Sequence, residues 1–429
     1  MSLTALQNGF HSISNDIGIL KQIIKLSRLN QDPNLISYGI VPCNTLFLNG
    51  ENFGGKGSGC GYAWEPAILG TIGETLERYA PAFHNKEESI FGSYASLNKK
   101  AIHPSEFALF HDKQFEDERF KIKKFDENVE VSWYPTLDLT TGEETYIPGQ
   151  FIYIPFTDDK NYLTGSNSTG LSAHTNYHEA ILGGLYESLE RDSFTITWYQ
   201  NITPPKIKIS QDIQGFIDEH HTANYEWHFF DVTYDLKIPT VLGICIGEAE
   251  FGKFLAIGSA TRQTFGEATR KVVQEIDQAV PYFRHLLDKF KKWNPDDDYI
   301  QVLDFDKHAI FYTKRQDLWH VFDNWRNAVP SRDIDFNEKP KRDTVTEIRH
   351  IVKTLKNKGY NVLVKDVTTP DLRQLGFYSL KTFIPQLIQL AGAYPIYFLG
   401  GKRLYEVPEK MGYKLYPFEE LNKYPHPFP

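Results

Sequence analysis

Two signatures, Glu74-x-x-Glu77-Arg78 and Glu187-x-x-Glu190-Arg191, put paired carboxylates beside an arginine twice in this 429-residue chain, and Glu179 precedes the second copy. At about 100° of helical rotation per residue, Glu74 and Glu77 lie about 60° apart, and Glu179, Glu187 and Glu190 share an arc of about 80°. Each set therefore occupies one helix face. Like charges at this spacing weaken a helix unless cations neutralise them, and hard divalent cations prefer oxygen ligands. Carboxylates beside arginines can thus hold Mg²⁺ and phosphates together. For either copy alone a solvated acidic face is the competing reading, since charge runs usually face water. The repetition favours chemistry.

Upstream, Gly50-x4-Gly55-Lys56 is one residue short of a Walker A loop, because Gly57 stands where that motif needs Ser or Thr. A glycine-rich turn before a helix still offers backbone N–H groups and a positive dipole end to phosphate, with Lys56 as a point charge. A flexible surface loop is the alternative, and the carboxylate helices nearby favour a nucleotide site. Lys271, Glu275 and Gln278 share a face of a further helix. Motifs for a nucleophile elbow, a zinc protease or a dinucleotide fold are missing from the sequence. His174 and His178 read as a polar helix start rather than metal ligands. Cys60 has no base near it in sequence and reads as a packing residue.

Periodicity sets the elements that must position these groups. Ile68, Leu69, Ile72, Leu76 and Tyr79 recur at helical spacing around the first copy, with Pro66 in a first turn. Around the second copy, Ile181, Leu182, Leu185, Tyr186 and Leu189 predict a helix over roughly 176–199, and a third helix is expected over about 264–287. Strands are expected at 45–48, 129–134, 150–154, 239–246, 253–258, 361–364 and 396–399. Ile13, Ile17, Leu20, Ile23, Ile24 and Leu26 form an amphipathic stretch, so residues 1–50 read as an N-terminal lobe or docking element and 51–429 as one catalytic domain. The final Pro425-His426-Pro427-Phe428-Pro429 cannot form a helix or an interior strand, because alternate prolines remove donors. It reads as a stiff free end.

Composition narrows the class. With 41% hydrophobic and 24% charged residues the chain is globular, and a net charge of -9 argues against nucleic acid or anionic membrane held by bulk electrostatics. An aromatic content of 14% suggests extended buried surface or a groove for a peptide-like partner. Cys43, Cys60 and Cys245 make no disulfide framework, which fits a reducing, cytoplasmic setting. No apolar run approaches the roughly 18 residues of a membrane span.

Several segments together resemble the YcaO family, ATP-dependent enzymes that activate backbone amides of ribosomal peptides. They are Gly55-Lys56-Gly57, Ile72 to Tyr79, Ser168-Thr169-Gly170-Leu171, Glu179-Ala180, Glu187 to Asp192 and Lys271-x3-Glu275-x2-Gln278. Asp366 to Asp371, Gly401-Lys402-Arg403-Leu404 and the terminal Pro-x-Pro-x-Pro extend the likeness, which runs in order over roughly residues 50 to 429. The resemblance implies an α/β (α+β) YcaO-like fold, with mixed sheets and helices carrying an ATP/Mg²⁺ site. It implies that Glu74, Glu77, Glu187 and Glu190 coordinate Mg²⁺. It also implies that Arg78, Glu179, Arg191, Lys271, Glu275 and Gln278 hold ATP, with Lys56 on its phosphates. Four positions depart from the family pattern: Gly70 replaces a Ser, Thr169 an Asn, Thr175 an Asn and Lys271 an Arg.

The proline tail is similar to that of azoline-forming cyclodehydratases, whose C-terminus points into the active site, which gives Pro425, Pro427 and Pro429 a catalytic part. The implied activity converts Cys, Ser or Thr of a ribosomal precursor peptide into thiazoline or oxazoline. Thioamide or amidine formation, or a non-catalytic scaffold in a synthetase complex, stays open as an alternative. No leader-binding module or E1-like domain is evident, so a separate partner protein is implied beside the precursor peptide. A flavin dehydrogenase and a second copy of the chain are further partners left open by the resemblance.

Overall fold

The first sheet is antiparallel, in the order β1 (Leu20–Lys25), β2 (Ile36–Pro42), β3 (Ser58–Gly61). The computed structural model describes residues 3–30, 32–46, 57–221, 223–394 and 396–429. Helix α1 (Leu3–Phe10) packs on α2 (Trp64–Tyr79), which lies across β2 and β3. The approach is close: a Cβ on Gly59 would stand 2.2 Å from the Thr71 backbone nitrogen, so only glycine fits there. The sheet joins residues on either side of position 50.

A second sheet combines β4 (Ile90–Gly92), β5 (Val131–Asp138), β6 (Glu143–Pro148) and β7 (Leu171–His174) with two strands from the last third, β13 (Leu363–Asp366) and β14 (Tyr378–Phe383). Helix α3 (Tyr177–Tyr199) follows β7. Its start is fixed by Asn176, whose side-chain oxygen accepts the His178 and Glu179 N–H groups at 2.9 and 3.2 Å. His174 belongs to the same turn, accepting the Asn176 N–H at 2.9 Å. From Ala180 onward α3 is buried nearly all round, as the central helix of the molecule, packed on β7, β14 and the later strand β11 (Gly252–Thr261).

The third sheet runs β11-β10-β9-β8-β12, from β8 (Lys206–Ile207), β9 (Glu226–Asp231), β10 (Thr240–Ala249), β11 (Gly252–Thr261) and β12 (Pro330–Arg332). Helix α4 (Phe265–Lys289), capped by Thr264, lies on β10 and β11. Helix α5 (Phe305–Lys314), α6 (Thr344–Asn357) and α7 (Lys402–Lys410) complete the elements used below, with β13 (Leu363–Asp366) and β14 (Tyr378–Phe383). The aromatic content is shared among several buried clusters, and in the one beneath the tail Phe194, Trp198, Tyr312, Phe322, Trp325 and Phe428 meet. No helix among the described residues is long and apolar enough to cross a membrane.

The amphipathic stretch takes a definite form, and the strands expected at 150–154, 396–399 and 45–48 change. The amphipathic stretch from Ile13 is a turn followed by β1: Gly18 N–H bonds back to Ser14 O, Ile13 bridges Leu20, and β-branched Ile23 and Ile24 then pair with β2. Residues 150–154 are not a strand, because the ladder ends at Pro148 and the chain enters the tight turn Gly149–Phe151. Among the described residues, 396–399 pair with no strand; Tyr397 gives its carbonyl to the Gln114 side chain at 2.9 Å instead. For the expected strand at 45–48, Thr45 lies in the loop after β2, and 47 and 48 fall outside the described residues.

The proline tail is not free. Residues 425–428 are buried and only Pro429 is exposed. Tyr312 Oη donates to Pro425 O at 2.8 Å and His308 Nδ1 to His426 O at 2.7 Å. Alternate prolines suit a buried extended segment, since each leaves one N–H fewer to satisfy.

Candidate active site

Helices α2, α3 and α4 converge on a cavity of about 600 Å³. From α2 it receives Glu74 and Arg78, from α3 Glu187 and Arg191, and from α4 Lys271, Glu275 and Gln278. The loop Ser166–Thr169 forms one wall, and Phe428 and Pro429 of the tail form part of another. Two carboxylates are held by backbone donors. Glu74 Oε2 accepts the Ser58 N–H at 2.9 Å, and Glu187 Oε2 accepts the Gly170 N–H at 2.8 Å. Gly170 has φ +83°, and a Cβ there would meet Thr382 O at 2.0 Å, so this donor needs glycine. On α4, Lys271 Nζ lies 3.4 Å from Glu275, while Gln278 donates to Ser58 Oγ at 3.2 Å.

Behind these side chains sit Glu77, 3.7 Å from Arg78, and Glu190, 3.7 Å from Arg191. Burial foremost pushes both up to about 8; Glu187 and Glu74 add repulsion at Glu77, as Glu275 and Glu187 do at Glu190. Burial likewise raises Glu74. Carboxylates of three helices thus crowd one site that is short of positive charge. Arg191 Nη1 is buried and has no hydrogen-bond partner among the described residues. Both features fit a phosphate-bearing ligand with Mg²⁺: the carboxylates offer hard oxygen donors and Arg191 an unused donor. No closed cage of three or more His, Cys, Asp or Glu forms among the described residues. Mg²⁺ does not require one, because it is usually held by one or two carboxylates together with substrate phosphates and water.

The remaining sequence-derived positions separate clearly. Glu179 does not line the cavity: it sits about 12 Å along α3 from Glu187 and accepts a hydrogen bond from the Thr344 hydroxyl. Pro429 lines the cavity, whereas Pro425 and Pro427 lie in the anchored part of the tail. Lys56 lies outside the described residues. Cys60 is buried on β3, with Sγ donating to Gln278 Oε1 at 3.2 Å, and burial pushes its thiol up to about 11, so it packs rather than attacks. Arg403 stands away from the cavity and is 3% exposed, bidentate on Asp192 through Nε to Oδ1 at 3.1 Å and Nη2 to Oδ2 at 2.8 Å, and paired with Asp235 at 2.9 Å. Sequence reasoning missed Ser58, Phe428 and Lys381, which is 1% exposed beneath the site. The available signals were a serine opening a strand beside the glycine loop and a lone lysine inside the strand-like run Tyr378–Phe383.

Residues 58–388 match the family model described as YcaO cyclodehydratase, ATP- and Mg²⁺-binding. The chain belongs to the YcaO family. Among solved YcaO-like structures, a heterocyclase in complex with substrate and cofactor superposes with a TM-score of 0.79 at 22% identity, covering 99% of this chain and 57% of that one. The YcaO of Methanopyrus kandleri, bound with AMPPCP and Mg²⁺, gives a TM-score of 0.60 at 15% identity, over 86% of each chain. An uncharacterized protein of Methanothermobacter thermautotrophicus is 27% identical over 123 residues, which is 27% of this chain and 32% of that protein. The chain therefore spans only part of these relatives' length. The structural likenesses establish a YcaO fold of mixed sheets and helices, as the sequence predicts.

Proposed function

We propose that this YcaO protein is an ATP-dependent cyclodehydratase that forms thiazoline or oxazoline rings in a ribosomal precursor peptide. The observation that carries the reading is the meeting, in one cavity, of carboxylates from three helices, the cations Arg78, Arg191 and Lys271, and the tail residues Phe428 and Pro429. The side-chain sulfur or oxygen of Cys, Ser or Thr attacks the preceding carbonyl carbon and loses its proton. The former carbonyl oxygen then takes the γ-phosphoryl group of ATP, releasing ADP. Breaking the C–O bond expels phosphate as the amide nitrogen loses its proton and the C=N bond forms. The peptide is lighter by one water.

Glu74, Glu77, Glu187 and Glu190 are the proposed Mg²⁺ ligands, and bound Mg²⁺ supplies charge neutralisation at the transferred phosphoryl group. Arg78, Arg191 and Lys271 orient the phosphates, with Lys56 of the glycine loop as a further contact. Glu275 and Gln278 hold the nucleotide from α4. Glu179 is proposed as a further nucleotide contact, farther along α3, with its carboxylate oriented by the Thr344 hydroxyl. The ordered tail, with Pro429 at the cavity and Pro425 and Pro427 fixing its course, places the acceptor peptide and keeps water away from it. A leader-binding, E1-like partner is proposed to deliver the peptide.

The test is mass spectrometry of a Cys-containing precursor incubated with the protein, its partner, ATP and Mg²⁺. Loss of one water per modified residue is expected. Exchange of oxygen for sulfur would contradict ring formation and indicate a thioamide synthase.

A further inference from the structure

Strand β1 ends the first sheet, with β2 on its inner side. The Leu26 N–H bonds to Ser37 O at 2.9 Å, one ladder step beyond the pair Ile24 and Gly39. Antiparallel alternation then turns the N–H and C=O groups of Ile23 and Lys25 away from β2. Among the described residues this outer edge is covered only at Leu20, by the bridge to Ile13. Lys21 and Lys25 are exposed along it, and no ion pair engages either one among the described residues. Ile24 and Leu26 remain 48% and 41% exposed beside Gly39. The edge is therefore open, basic and partly apolar.

It also leads to the active site. Ile24 pairs with Gly39 and Gly39 with Ser58, so the three form one row across the sheet. Ser58 lines the cavity, where its N–H holds Glu74. Two strand spacings, about 10 Å, separate the edge from that lining.

We propose that β1 is a docking edge for the precursor peptide, which adds to it as an extended strand through an acidic segment. The proposal rests on the peptide-modifying reading of the cavity. Charge selects the occupant. A second copy pairing antiparallel about Ile23 would set Lys21 against Lys25, and a parallel copy would set each lysine beside its equivalent, so self-pairing is opposed. A strand of alternating acidic and apolar residues instead sets a carboxylate beside Lys25 and an apolar side chain beside Ile24, on opposite faces. Because the chain carries a net charge of -9, such a segment is drawn to this edge rather than to the surface at large.

The experiment is fluorescence anisotropy with two short labelled peptides, one alternating Glu and Val and one alternating Lys and Val. Wild type should bind the acidic peptide at least about tenfold more tightly than the basic one, and the double variant Lys21→Glu with Lys25→Glu should invert that order. Lys25→Pro should weaken the acidic peptide about fivefold beyond Lys25→Gln, because proline alone removes an outward N–H that the β1 to β2 ladder does not use. The double variant changes only exposed side chains, so it tests the edge even if Lys25→Pro misfolds. With wild type and a Cys-containing precursor, the acidic peptide should raise KM and leave kcat unchanged. Equal binding of the two peptides, an uninverted order in the double variant or an unchanged precursor KM overturns the proposal. Loss of partner-protein binding in place of precursor binding would likewise overturn it and give the edge to the partner. A wild type that shows the expected peptide binding but forms no ring would instead refute the reading on which the proposal rests.

Discussion

The Arg191 guanidinium lies 4.1 Å from the centre of the Phe428 ring, so the helix that carries Glu187 and Glu190 is joined directly to the proline tail. Arg191 is also within 3.6 Å of Glu187. One side chain thus ties the carboxylate cluster to the segment that reaches the cavity.

Phe428→Ala tests that link. A cation–π contact contributes roughly 0.5–2 kcal/mol, and losing the ring also leaves a gap beside Phe194. Ring formation should fall at least about tenfold, the factor for 1.4 kcal/mol, while the Kd of an ATP analogue stays within about twofold. Steady-state product analysis and calorimetry measure the two. An unchanged cyclisation rate would remove the tail from the reaction.

Docking of the tail should depend on pH. His426 stacks on His308 at 3.8 Å, its Nε2 donates to Ala391 O at 2.8 Å, and burial pulls its pKa down from 6.5 to about 4. Burial also holds His308 well below the ordinary range. A released tail binds a proton below pH 6.5, whereas the docked tail resists protonation until about pH 4, so docking is favoured above 6.5 and weakens as pH falls through that window. The loss at the lower end is about 3 kcal/mol. Hydrogen exchange at the His426 and Phe428 amides, corrected for intrinsic rate, should show growing exposure from pH 7 to 5, and His426→Gln should flatten the response. A pH-independent wild type would contradict the account.

Arg403→Met addresses architecture rather than chemistry. Asp192 is fully buried, and burial raises its pKa even with Arg403 in place. Removing Arg403 strands that carboxylate at a cost of about 3–5 kcal/mol, read as a lower urea midpoint. A shift under about 1 kcal/mol would mean that the Gly401–Leu404 segment does not brace α3.

The long helices and their carboxylate faces were legible because apolar spacing, Asn176 and Thr264 mark their positions and starts without help from the rest of the fold. Residues 13–26 read only as amphipathic, because the apolar spacing is divided between a turn at Gly18 and strand β1. The tail misled. Alternate prolines announce an extended segment but not its anchors, and Tyr312 and His308 lie more than a hundred residues away in sequence. Lys381 was silent for the same reason: its acceptors, Asn167 and Thr169, approach it only when β14 pairs with β7. Likewise, helical rotation alone placed Glu179 with Glu187, and only the packing of α6 shows that Thr344 engages it.

The central claim is that the α2 and α3 carboxylates form a working Mg²⁺–nucleotide site, and ADP release by Glu187→Gln, measured with precursor peptide and partner, tests it most directly. The amide oxygen of glutamine can still accept the Gly170 N–H, so the fold and thermal midpoint should be retained while the charge is lost. ADP release should fall at least about a hundredfold, or roughly 2.7 kcal/mol of barrier. A correctly folded Glu187→Gln protein that releases ADP at the wild-type rate would contradict the account.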